Sequence, residues 1–376
     1  MEDVYHPGLE NVIACETQVS YLDTDHEEIV IRGYDLIALA KQKSYLEIAH
    51  LVVYGQLPNP PELEVFAKQI QQAKEIPTAI LDILRALPKT THLMDYLRTG
   101  ISALAGSDPD LDDRSKEASL RKTIRLLAYM PQLVAASHAI KEGQEPFPSR
   151  PELSYSAQFL YRLTGAVPTH QEALIFDQAL SAYIEHEMPN STFTARVIAS
   201  TLSDLYGSLT GAVASLKGTL HGGANEAVML MMLEAQQADH VESYLLEKLA
   251  NKERIMGFGH RVYMNKMDPR ALLMKEALAQ LVNVKGQEEL YARFEIGEKV
   301  MKREKNLHPN LDYYAAPVFY LLGIPIELYT PIFFAARTAG LCAHVLEQHD
   351  HNRLFRPRVR YTGTRGLQVT QVNEER

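Results

Sequence analysis

Apolar residues recur at the spacing of an α-helix along nearly the whole chain, and this one pattern removes most folds from consideration. In "PPELEVFAKQIQQAKEI" the side chains of Leu63, Phe66 and Ile70 fall on one face, and prolines open the segment where a first turn tolerates them. "KSYLEIAHLVVYGQLP" carries a Ser44-x-x-Glu47 capping box and stops at Gly55 and Pro58. Further helices are expected at 115–141, bent near Pro131, and at 152–163, 169–186, 192–205, 224–236, 241–251, 268–282, 288–305 and 330–349. Strand-like alternation is confined to "TQVSYLD" and "EEIVIRGY", which flank Thr24-Asp25-His26 and predict a small N-terminal β-hairpin. Strands do not alternate with helices, so no parallel sheet is expected, and no fixed period marks a repeat protein. The expected fold class is all-α, mostly helical.

At 376 residues, 46% of them hydrophobic, the chain exceeds the usual single core, so two domains are expected. Disorder is expected only in the last residues, "TQVNEER". A formal net charge of -9 disfavours nucleic-acid binding, and an anionic ligand would need a local basic patch. Three late basic runs, "LEKLANKER", "EKVMKREKN" and "NRLFRPRVR", are candidates: solvated helix faces and tails are the simpler account of any one alone, but three in an acidic chain favour an anion site. Cys15 and Cys342 cannot build a disulfide framework, which points to a reducing compartment. No signal peptide or membrane span is visible in the sequence. A soluble, cytoplasmic protein is expected.

Four polar islands interrupt the helical pattern: "EHEMPNSTFTAR", "LKGTLHGGANE", "IMGFGHRVYMNKMDPR" and "HPNLDYYAAP". Each sets a titratable group beside Gly, Pro or Asn, where a helix breaks and a side chain can be presented. Gly222 and Gly223 after His221 allow close backbone approach, and a helix starting near Ala224 directs unpaired N–H groups toward the imidazole. That field disfavours an imidazolium, yet a neutral ring can still donate to a carbonyl that is gaining negative charge. The same histidine in a plain helix–helix turn would merely bond a neighbour. His260 in "GFGHRVY" invites the same two readings. Arg270, closing "DPR", could hold a carboxylate bidentately, or Asp-Pro could simply start a helix. Asp312 could be a general base in a dry setting, or the N-cap of a helix starting at Tyr313.

Taken together these motifs resemble the citrate synthase family, and the resemblance runs over essentially the whole chain. It is carried by "EHEMPNSTFTARV", "LKGTLHGGANE", "MGFGHRVY…DPR" and "HPNLDYYAAPV", with further likeness from "PGLENVIACETQVSYLD" to "NRLFRPRVRYTG". Within the family the chain is most similar to bacterial 2-methylcitrate synthases. The resemblance implies condensation of an acyl-CoA, propionyl-CoA or acetyl-CoA, with oxaloacetate, followed by thioester hydrolysis, in propionate metabolism or the tricarboxylic acid cycle. Asp312 would remove the α-proton, His221 would stabilise the enol or enolate, and His260 would protonate the oxaloacetate carbonyl. His186, Arg270 and Arg337 would bind oxaloacetate, and Arg356 would reach in from a partner subunit of a homodimer with shared active sites. Arg254, Ile255, Met256, Gly257 and Phe258 would lie along the CoA. No metal or redox cofactor is implied, since acyl-CoA is itself a substrate. The implied architecture is two-domain: residues 1–216 with 326–376 form a large helical domain, and residues 217–325 a small one.

Two departures from the family pattern are visible. This chain reads His186-Glu187-Met188-Pro189-Asn190-Ser191-Thr192 where many members read His-Glu-x-Asn-Ala-Ser-Thr, and its loop between His260 and Arg270 is one residue longer. An extra methylene in an apolar pocket discriminates only about 10–200-fold, so the acyl preference is not legible in these residues. The rival readings are a catalytically silent helical scaffold and a His/Asp metal-dependent enzyme, although His186, His221 and His260 lack helical metal-ligand spacing. Cys342 reads as a core cysteine rather than a nucleophile.

Overall fold

The computed structural model describes residues 5–23, 26, 28–73, 75–259 and 266–368. The expected hairpin is present as β1 (Ser20–Asp23) and β2 (Glu28–Ile31), paired antiparallel from Ser20 opposite Ile31 to Asp23 opposite Glu28. Thr24 and Asp25 of its turn lie outside the described residues, as does the end of the chain from residue 369. A third strand, β3 (Tyr34–Asp35), pairs with β2 after the chain reverses at Arg32 and Gly33, both at positive φ.

Helices make up nearly all the remaining structure. The first eight are α1 (Leu36–Gln42), α2 (Tyr45–Tyr54), α3 (Pro60–Gln72), α4 (Thr78–Arg85), α5 (Leu93–Leu104), α6 (Lys116–Lys141), α7 (Tyr155–Thr164) and α8 (His170–Tyr183). The later ones are α9 (Asn190–Ala199), α10 (Leu205–Leu216), α11 (Ala224–Glu234), α12 (Ala238–Ala250), α13 (Pro269–Lys285), α14 (Glu288–Lys305), α15 (Leu311–Leu321) and α16 (Tyr329–Asp350). The Ser44–Glu47 capping box forms in both directions and starts α2. α6 continues through Pro131.

Two sequence expectations are corrected. The helix expected over 192–205 is broken: Leu202 takes a positive φ, and Asp204 caps a new helix, α10, by accepting from the Gly207 N–H at 2.9 Å. The helix expected to reach residue 186 stops at Tyr183, and Glu187 turns the chain with φ 61°. His186 is therefore presented from a loop between two helix ends.

α16 is the spine of the fold, packed against α2, α6, α8, α9 and α10. α11 and α13 both pack on α15, α12 lies on α14, and α13 and α15 also touch α8. The buried apolar side chains of these helices form one continuous cluster. Among the described residues no helix is long and apolar enough to cross a membrane.

The closest approach to α16 is at Gly340. A Cβ there would lie 2.6 Å from the Ile184 carbonyl oxygen and would also meet the Glu185 carboxylate. Glycine normally costs a helix interior about 1 kcal/mol against alanine. At this position the order should reverse, since overpacking a tight contact costs about 1–3 kcal/mol and here one contact is backbone. Gly340→Ala is expected to lower the thermal midpoint, measured by calorimetry; a raised midpoint would contradict this reading of the contact.

Candidate active site

The functional candidates converge where helices end against the middle of α16. The anchor is Glu185, fully buried just beyond α8. One of its oxygens accepts from the Ser20 hydroxyl at 3.0 Å and the His186 N–H at 3.0 Å, and lies 3.1 Å from His344 Nε2. Burial alone would raise its pKa, but the bonds from His344 and Ser20 and the charge of Arg337 hold the carboxyl below its usual range. His186 is buried beside it.

His221 sits on the step between α10 and α11. A Cβ on Gly222 would collide with the Leu216 carbonyl, and Gly223 takes φ +81°, so only glycines permit this turn into α11. The imidazole Nε2 receives the Ser191 main-chain N–H at 3.2 Å and lies 2.9 Å from the Ser191 hydroxyl. A main-chain N–H can only donate, so Nε2 is the acceptor and the ring proton belongs on Nδ1. Burial, with the nearby Arg337 charge, lowers the pKa to about 4. The ring is thus neutral at physiological pH, with one N–H to offer.

Asp312 lies in the first turn of α15. Its N-cap is Asn310, whose side chain accepts from the Asp312 N–H at 3.1 Å. Asp312 is therefore not the N-cap, and the helix begins two residues before Tyr313. Instead, Asp312 Oδ1 accepts the Tyr183 hydroxyl at 2.7 Å. Burial raises the carboxyl pKa, while the Tyr183 bond and the charges of Arg270 and Arg337 act in the opposite direction. The "MGFG" and "HPN" motifs are joined as a short antiparallel contact. The Asn310 N–H reaches the Gly257 carbonyl at 2.9 Å, and the Gly259 N–H reaches the His308 carbonyl at 2.9 Å. Phe258 packs on Tyr313 with ring centroids 4.5 Å apart.

Arg337 is buried in α16, donates from Nε to the Tyr183 carbonyl at 2.6 Å, and lies 4.7 Å from the Phe333 ring. Burial lowers its pKa to about 10, so it stays charged at neutral pH. Arg270 is also buried, and Asp268 holds its guanidinium through Nε at 3.0 Å and Nη2 at 2.7 Å. Asp268 also caps α13. The helix-start reading of "DPR" thus holds, and the arginine is at the same time oriented beside the site.

The structure brings together Asp312, Arg270 and Arg337, whose charges act on one another, and His221, which feels the charge of Arg337. Arg254 is exposed and Ile255 buried, while Met256 and Phe258 are half-buried along the strand-like contact that includes Gly257. Arg356 is not gathered into this group. It is exposed on the C-terminal segment and donates to the Pro357 carbonyl at 3.0 Å. His260 lies outside the described residues. Cys342 is buried and its pKa is raised to about 12 by burial, which leaves it a thiol. His186, His221 and Asp312 are not within metal-ligand reach of one another.

Three participants escaped the sequence reading as individuals. Tyr183 contacts Asp312 by its hydroxyl and Arg337 by its carbonyl, Ser191 orients His221, and buried Asn225 hydrogen-bonds the Tyr183 hydroxyl. Their only signal was proximity to the polar islands.

Comparison with known proteins agrees with this geometry. The family model described as citrate synthase, C-terminal domain, matches residues 8–358. The chain is 60% identical over 361 residues to the citrate/2-methylcitrate synthase of Bacillus subtilis, covering 96% of this chain and 97% of that one. It superposes on the crystal structure of citrate synthase from Pyrobaculum aerophilum with a TM-score of 0.90 at 34% identity, covering 98% of this chain and 95% of the other. The ternary complex of Thermoplasma acidophilum citrate synthase with carboxymethyl coenzyme A and oxaloacetate also gives a TM-score of 0.90, at 30% identity and 98% and 99% coverage. The chain belongs to the citrate synthase family.

Proposed function

We propose that this chain condenses an acyl-CoA, propionyl-CoA or acetyl-CoA, with oxaloacetate and water, releasing 2-methylcitrate or citrate and free CoA. The observation that carries the reading is that the charge of Arg337 acts on both a half-buried carboxylate, Asp312, and a neutral imidazole, His221, whose tautomer is set by Ser191. An α-thioester proton is too weakly acidic for a carboxylate alone, so the oxygen that gains charge must meet a preorganised donor. Asp312 takes the α-proton while His221 Nδ1–H bonds the thioester oxygen. The enol carbon then attacks the oxaloacetate carbonyl carbon, and His260 delivers a proton to the alkoxide oxygen. Water finally cleaves the thioester and the CoA thiol leaves. His186, Arg270 and Arg337 hold the keto diacid, and residues 254–258 lie along the CoA.

The same proposal includes the assembly. Residues 217–325 act as a small body that closes on the remainder over the bound substrates, keeping water from the thioester until condensation is done. The chain works as a cytoplasmic homodimer in which Arg356 completes the partner's oxaloacetate site. Its exposure, with no carboxylate partner among the described residues, supports that role.

Steady-state thiol release with acetyl-CoA, propionyl-CoA and butyryl-CoA against oxaloacetate tests the reading. Turnover is expected with at least one of the first two, and silence with both would favour the inactive scaffold. Asp312→Ala is expected to lower kcat by about two to four orders of magnitude with unchanged circular dichroism. His221→Ala should cost about 100- to 1,000-fold, as for loss of one preorganised donor. Near-normal rates would remove that residue from the mechanism. Two singly inactive variants, Arg356→Ala and Asp312→Ala, should regain activity on mixing if sites are shared between subunits.

The pH profile gives a further test. Asp312 must be ionised and His221 neutral, so kcat/KM falls as pH drops through their pKa values and is flat above them. Tyr183 donates to the Asp312 anion and thereby lowers its pKa. Tyr183→Phe removes that bond, so the acid limb should move to higher pH; an unmoved or lowered limb would show that this bond does not tune the base.

A further inference from the structure

Away from the groups assigned to the reaction, three ligating side chains from distant parts of the chain meet at the C-terminal end of α6. His138 and Glu142 stand four residues apart, on one helical face, with the Glu142 N–H still bonded to the His138 carbonyl at 3.0 Å. Glu327 arrives from the single 3-10 turn Ile326–Leu328 that precedes α16. One ligand atom from each of the three lies within 4.8 Å of the others, and among the described residues this is the one such group of three or more.

The spacing within the cluster matches one edge of a coordination shell. His138 Nε2 and Glu327 Oε1 are 3.3 Å apart. Zinc–nitrogen and zinc–oxygen bonds of about 2.0–2.1 Å around a tetrahedron give ligand–ligand edges of roughly 3.3 Å, so this pair already spans one edge. An imidazole and a carboxylate at i and i+4 supply the other helical spacing that metal sites use. Lys141 sits on the other oxygen of Glu327 and neutralises part of its charge.

We propose that His138, Glu142 and Glu327 bind one divalent d-block cation of the zinc type, with water completing the shell. One nitrogen and two carboxylates suit zinc, whereas magnesium and calcium favour shells of six or more oxygens. The bound ion would clamp α6 to the turn that leads into α16. No catalytic step requires it.

Tag-free, chelator-treated full-length protein titrated with Zn2+, and separately with Mg2+, in a calorimeter tests the site. One Zn2+ per chain is expected, with a rise in thermal midpoint, and no comparable heat from Mg2+. Glu142→Gln, at an exposed position, should fold normally and bind Zn2+ at least about tenfold more weakly. His138→Ala should do the same. Lys141→Met should bind more tightly, because it removes the cation that competes for Glu327. Wild-type protein that takes up no Zn2+ at about millimolar concentration would overturn the proposal. So would Glu142→Gln and His138→Ala variants that bind as wild type does.

Discussion

A buried carboxylate governs how this fold meets its site. Glu185 has no exposed surface, and an unpaired charge in that position would be untenable. It is tolerated because three elements deliver donors or positive charge to it: Ser20 from β1, His344 from α16, and the His186 main chain, with Arg337 adding its field. His344 is in turn held from its other nitrogen by buried Arg196, which pairs with Glu347. Removing one member of such a buried network costs about 3–5 kcal/mol, because it strands the others. The small sheet, whose edges look incidental in an all-helical protein, is fixed in place by this chain of charges. Gly340 is its steric counterpart, since only a residue without a Cβ lets α16 lie this close to Glu185.

The same burial separates the two titrating groups in opposite directions. It lowers the imidazole of His221 and raises the carboxyl of Asp312, since in each case the charged form loses solvation. For His221 this is useful without correction: the neutral ring is the one that donates from Nδ1 while accepting Ser191 at Nε2. For Asp312 it is opposed by the Tyr183 bond and two guanidinium groups, which favour the anion that a base must be. Tyr183 links these effects, because its hydroxyl serves Asp312 and its carbonyl fixes Arg337. A single residue thus ties the proposed base to the cation proposed to receive a dicarboxylate.

Much of this was legible in the chain and some was not, for separable reasons. α14 begins and ends where its periodicity predicts, and α11 starts at Ala224 because the two glycines before it admit no earlier start. The break at residues 200–204 was missed because apolar spacing continues across it, and the signal lay in one capping side chain, Asp204. Asp312 was placed beside the correct helix but given the wrong alternative role, since Asn310, two residues earlier, supplies the cap. Tyr183, Ser191 and Asn225 carry ordinary side chains inside helical patterns. Their importance comes from what faces them across the fold, which no local pattern encodes.

The join between residues 257–259 and 308–310 has the widest consequence for mechanism. Main-chain bonds on both sides of Phe258 fix the approach to His260 against the cap of the helix that bears Asp312. Segments separated by about fifty residues are therefore tied together, with the rings of Phe258 and Tyr313 tilted against each other at a centroid distance of 4.5 Å. Asp312, by contrast, reaches across to Tyr183 of α8, and His221 reaches across to Ser191 of α9. Bonds of the first kind are internal to the 217–325 segment, and bonds of the second kind span its boundary. In the proposed closure, an opening that admits substrate would break the second set while keeping the first. The proposed base and the imidazole would then be oriented only in the closed state, which would confine proton abstraction to the state from which water is excluded.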